Sequence, residues 1–146
     1  MMLKFKRSPR RHQGQALVEI TLLAPLLFLL FIGALDFGFY AYAIIATENA
    51  ARVAVMQTSK NTLTQANSTL ACGYALTELN TLPNTRSLSV CSSLPVIVSA
   101  GSVVDDDGAS ASLVSVTYQT IQMIPIPGLT GRVTLTRTAQ MRLKQQ

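Results

Sequence analysis

The chain has 146 residues, room for one small domain plus an anchor, and a formal net charge of +5. The charge is local: Lys4, Lys6, Arg7, Arg10 and Arg11 supply five of the 12 Lys and Arg, which leaves seven cations against seven Asp and Glu from Gln15 onward. That neutral body has no basic stripe with interleaved aromatics, so no nucleic-acid partner is expected.

Residues 1–14 are polar and basic, contain Pro9, and show no apolar periodicity. They read as a leader, disordered or removed, and their charge fits a cytoplasmic flank under the positive-inside rule.

Residues 16–57 read as one long helix. Between Ala16 and Thr47 the only charges are Glu19 and Asp36, 17 positions apart. At 1.5 Å per residue that is about 25 Å, close to the ~30 Å thickness of the hydrocarbon layer, so the two acids are expected near opposite faces of a membrane. Pro25 removes one backbone donor, which membrane helices tolerate. Phe37, Phe39, Tyr40 and Tyr42 fall where an interfacial aromatic belt belongs. Beyond Tyr42 the segment becomes amphipathic: Ala43, Ala46, Ala50, Val53 and Ala54 recur at three- and four-residue spacing, against Glu48, Asn49 and Arg52. Ala34 and Gly38 form a small-xxx-small pair, a helix-packing signal.

A second, shorter helix is expected over 61–82, with Asn61 as its cap and Leu63, Ala66, Leu70 and Tyr74 on one face. Pro83 and Asn84 end it. Three strands follow. The first covers 95–104, and Asp105, Asp106, Asp107 and Gly108 turn the chain after it. The second covers 111–122 and is broken by Pro125, Ile126, Pro127 and Gly128. The third covers 132–143, where Val133, Leu135, Ala139 and Met141 alternate with Thr134, Thr136, Thr138 and Gln140, with Arg137 as the exception on the apolar face. One-sided alternation suits an antiparallel sheet with one face packed and one solvated. The expected fold is α+β: a long N-terminal transmembrane helix continuing into a small head that holds a short helix and an antiparallel sheet of about three strands. The organisation expected is a leader over 1–14, a transmembrane and extended helix over 15–57, and an exported head over 58–146, its sheet packed on both helices.

Cys72 and Cys91 lie in the part that would be exported. In an oxidising compartment they are expected to pair, closing a loop of about 20 residues worth roughly 3 kcal/mol in the chain-entropy model. Two unpaired thiols are the alternative. Their spacing fits neither a CxxC redox pair nor a zinc ligand set.

No catalytic constellation is present, so no enzyme activity and no cofactor are expected. His12, the only histidine, lies in the leader. There is no GxSxG elbow, HExxH motif or P-loop. The Asp105, Asp106, Asp107 run lacks the terminal Glu of an EF-hand and reads as a solvated turn rather than a metal site.

The Gly14–Glu19 spacing carries more information. A glycine after a basic stretch, with one acid five residues on at the mouth of an apolar helix, is the pattern of a leader-processing site. An acid within a membrane helix costs roughly 2.5–3.5 kcal/mol on insertion scales, so it is a functional candidate by default. A membrane aspartyl protease would cut between Gly14 and Gln15, and the new amine of Gln15 would pair with Glu19 of a neighbouring subunit. Ala41, Tyr42 and Ala43 offer a competing cleavage of the A-x-A type, which would release a soluble binding protein starting at Ile44.

The segment GQALVEITLLAPLLFLLFIGALDFGFYAYAIIATENAARVAVM resembles the signature region of TadE-like pseudopilins. The family opens on G-x-A-L-V-E-F, runs through an apolar helix to an acid–Phe–Gly triplet, here Asp36, Phe37 and Gly38, and closes on an A-A-R pattern, here Asn49, Ala50, Ala51 and Arg52. Ile20 stands where Flp-type substrates usually carry an aromatic. The Thr-rich tail is similar more loosely. The resemblance implies a minor pilin-like subunit of a bacterial tight-adherence (Flp) pilus. It implies single-pass anchoring in the inner membrane with the head on the periplasmic or extracellular side. Its partners would be a prepilin peptidase acting at Gly14, Gln15 and Glu19, other pilin-like subunits and pilus assembly proteins. Helix assembly would involve Glu19, Ala34, Asp36 and Gly38.

Overall fold

The computed structural model describes residues 12–122 and 131–144. The leader up to Arg11 and the Pro125, Ile126, Pro127 and Gly128 break lie outside them. The first element is helix α1 (His12–Thr58), with Pro25 inside it. The chain divides into two compact units between Phe37 and Gly38, so residues 38–58 of α1 belong to the same unit as the head expected from 58 onward.

From Ile20 to Leu35 the helix is apolar on all its sides. Leu17, Val18, Ile20, Leu22, Leu26, Phe28 and Phe31 are all more than half exposed. A helix that is hydrophobic all round needs an apolar surrounding rather than a single apolar neighbour. Over Gly14–Thr58 the helix carries an 18-residue window of mean hydropathy 2.4, none of it buried, and is long and apolar enough to cross a membrane.

The second unit contains α1 from Gly38, helix α2 (Ser68–Leu79), and strands β1 (Ser92–Ser93), β2 (Val96–Val104), β3 (Ser110–Gln119) and β4 (Thr134–Arg142). The strands form one antiparallel meander in the order β1-β2-β3-β4. The α+β expectation holds, with four strands where about three were expected. The extra one is β1, two residues that pair with Val96 and Ile97.

One core joins the layers of this unit. Ala43, Ala46, Ala50, Ala51, Ala54 and Val55 of α1 are buried against Val96 and Val98 of β2 and Val114, Val116 and Tyr118 of β3. Alanines at helical spacing keep that face of α1 flat, so the valine side chains of the sheet fill the space between. Thr47 is fully buried and satisfies its hydroxyl on Ala43 O at 2.7 Å. On the exposed side Glu48 and Arg52 form the i,i+4 ion pair.

The helix expected over 61–82 begins later, at Ser68. Asn67 is its N-cap, its Oδ1 accepting from Leu70 N at 2.9 Å. Asn61 caps a turn instead, its Oδ1 accepting from Thr64 N at 2.9 Å. The buried face also differs: Ala71, Cys72, Ala75 and Leu79 point inward, whereas Leu63 is 89 % exposed and Tyr74 is on the exposed side. Cys72 and Cys91 are joined by a disulfide with Cα atoms 5.7 Å apart, which ties α2 to the segment leading into β1.

β3 is the central strand, with Ala111, Ser112, Val114, Val116 and Tyr118 buried. β4 follows the expected alternation, but shallowly: Leu135, Arg137 and Ala139 are half-buried and Met141 is exposed. Gly108 takes φ +81 in the turn between β2 and β3, a conformation that favours glycine. Arg142 clamps that turn, with Nε 2.8 Å from Asp105 Oδ2 and Nη1 2.8 Å from Asp107 Oδ2. The guanidinium holds the Asp105 carboxyl below its ordinary range, helped by the Asp106 backbone N–H.

Candidate assembly helix

Gly14, Gln15 and Glu19 lie within the first two turns of α1, all exposed. Gln15 Nε2 donates to Glu19 Oε1 at 3.4 Å, so the residue after the expected cut and the acid share one helix face. A Cβ built on Gly14 meets nothing within 4 Å among the described residues. Thr21 turns its hydroxyl back onto Val18 O at 2.9 Å, leaving Glu19 as the one charged side chain on the opening turns.

The two acids of this segment differ. Glu19 is exposed, whereas Asp36 is only 7 % exposed. Along α1 they stand about 25 Å apart by helical rise, so they do not form one site. Ala34 and Gly38 are both exposed, and a Cβ built on Gly38 meets nothing within 4 Å. Among the described residues, nothing fills the space beside either of them.

Just beyond, two tyrosines hold α1 to the head. Tyr42 OH donates to Thr81 Oγ1 at 2.7 Å, and Tyr40 OH donates to Gly131 O at 3.3 Å. The sequence placed both in an aromatic belt. Their partners, 39 and 91 residues away, leave no local signal, and only the phenol's need for a hydrogen-bond partner hinted at them.

The family model described as TadE-like protein matches residues 14–56. This segment is TadE-like. The match begins at Gly14, takes in Glu19, Asp36 and Gly38, and ends within α1, so its sequence pattern and the helix coincide. No curated protein and no solved structure matches the chain.

Proposed function

We propose that the chain is a minor pilin-like subunit, a pseudopilin, of a bacterial tight-adherence (Flp) pilus, with a structural rather than catalytic role in assembly, initiation or adhesion. In this reading α1 anchors it once in the inner membrane with the head on the outer side. A prepilin peptidase cuts between Gly14 and Gln15, and α1 then packs with the helices of other pilin-like subunits and assembly proteins. The observation that carries the reading is the coincidence of the TadE-like match with an apolar helix that opens on one exposed acid, Glu19. An acid there is costly in hydrocarbon unless a partner cation meets it, and the new Gln15 amine of a neighbouring subunit is such a cation. The exposed Ala34 and Gly38 supply the second contact region of the helix beside the buried Asp36, and the disulfide fits an oxidising compartment outside the membrane.

Release as a secreted binding protein after Ala43 is the weaker reading. It would remove the Tyr40 and Tyr42 hydrogen bonds and cut through fully buried Ala43.

The test is co-purification of pilin-like subunits with wild type and Glu19→Gln at equal membrane levels. The proposal expects the variant to lose its partners. Equal recovery overturns it.

A further inference from the structure

The sheet has two edges of unequal length: β1 offers two residues and β4 offers nine. Leu143 N donates to Ser110 O and Thr120 N to Val133 O. With the one-to-one register, this sets the hydrogen-bonded pairs at odd-numbered β4 positions. The backbone N–H and C=O of Thr134, Thr136, Thr138, Gln140 and Arg142 therefore point away from β3, and none of these residues is buried.

Folds usually blunt such an edge with proline, a bulge or brevity. β4 has no proline and pairs with β3 without a bulge. Its one blunting device is Arg137, whose Nη1 donates to the outward carbonyl of Thr136 at 3.0 Å. Beside the edge runs a groove of ≈ 630 Å³ lined by Glu48, Arg52 and Met56 of α1 and by Thr138, Gln140 and Met141 of β4.

Charge selects the occupant. The strand and its flanks carry Arg132, Arg137, Arg142 and Lys144 and no acid. Arg142 is neutralised by Asp105 and Asp107, and Arg52 by Glu48. Arg132, Arg137 and Lys144 have no ion pair among the described residues. A second copy docked antiparallel about Thr138 would set Arg132 opposite Lys144 and Arg137 diagonal to Arg137, and like charges so placed repel. A guest carboxylate would instead draw Arg137 off the Thr136 carbonyl and open the one blunted position.

We propose that the outer edge of β4, from Thr134 to Arg142 and unpaired among the described residues, receives an extended, acidic segment of a different polypeptide as a fifth strand. Backbone pairing along β4 supplies affinity, and Arg137 supplies the choice of charge. This surface lies on the head and does not depend on the pilus reading.

The probe is a nine-residue peptide alternating valine with glutamate, compared with the same peptide carrying lysine for glutamate, added to the detergent-extracted full chain. Hydrogen exchange is read at the amides of Thr134, Thr136, Thr138, Gln140 and Arg142. The glutamate peptide is expected to slow these amides about tenfold or more while the lysine peptide does not. Thr138→Pro, which removes an outward donor and none of the β3–β4 ladder, is expected to abolish the protection. Arg137→Glu is expected to reverse the preference, and it tests the idea independently if the proline variant fails to fold. Equal protection by both peptides, protection by neither, protection unchanged in Thr138→Pro, or five amides already slow in the free chain would each overturn the proposal.

Discussion

The hydroxyl of Thr58 lies 2.7 Å from that of Ser112 in the interior, joining the last turn of α1 to the start of β3. Ser112 Oγ donates to Gln65 O at 2.9 Å and Thr58 Oγ1 to Val55 O at 3.2 Å, so each hydroxyl has a carbonyl acceptor beside the other hydroxyl. Gln65 returns the contact through Nε2 to Ala111 O at 2.8 Å. Three polar side chains thus close on one another where a helix end, a turn and a strand meet.

Ser112→Ala breaks this closure and leaves the Gln65 carbonyl short of a partner, while the Thr58 hydroxyl keeps Val55 O. Stranding buried polar groups costs about 1–3 kcal/mol. The expected result is a lower urea midpoint for unfolding of the head with unchanged membrane partition. A midpoint equal to wild type would show the network to be idle.

Tyr118 gives the head a limit in alkali. Its ring is fully buried and its hydroxyl donates to Asn84 Oδ1 at 2.7 Å, while Asn84 Nδ2 holds Gln119 O at 3.0 Å. Burial pushes the phenol up from 10.0 to about 12. The folded state thus prefers the protonated phenol. Its contribution is intact below pH 10 and is lost as pH rises toward about 12. Tyrosinate absorbance and head unfolding should rise together across that window. Tyr118→Phe should weaken the head at neutral pH and uncouple the two signals.

The bond between Cys72 and Cys91 closes a loop of 19 residues' separation. Replacing both cysteines by serine should lower head stability by roughly 3 kcal/mol on the chain-entropy model, and thiol reductant should do the same to wild type. Thermal unfolding with and without reductant measures both. An unchanged transition would mean that α2 is held by its buried Ala71, Ala75 and Leu79 alone.

Some of this was legible in the sequence for simple reasons. The apolar run between Glu19 and Asp36 leaves a helix almost no alternative, and the Val/Thr alternation gave β3 and β4 their phase. The start of α2 was not legible. Asn61 and Asn67 are both good caps, and Ser, Thr and Asn compete for the backbone in turns as readily as at helix ends. The turn at Asn61 won, which left Leu63 in solvent. β1 is too short to show a period. Alternation reports which way β4 faces but not that it ends the sheet, since edge position depends on neighbours. Along α1, the sequence singled out Glu19 and Asp36 alike. The burial that separates them leaves no mark in the sequence, and neither do the partners of Tyr40 and Tyr42. The missing acid around β4, by contrast, stood in the sequence and gained meaning only with the register.

The most direct measurement of the central claim is the intact mass and N-terminal residue of the protein extracted from its native membrane. Processing after Gly14, the first residue of the TadE-like match, predicts a chain that begins at Gln15 and stays with the membrane. A chain that begins at Ile44 in the soluble fraction, or one that keeps Met1 or Met2, would contradict it.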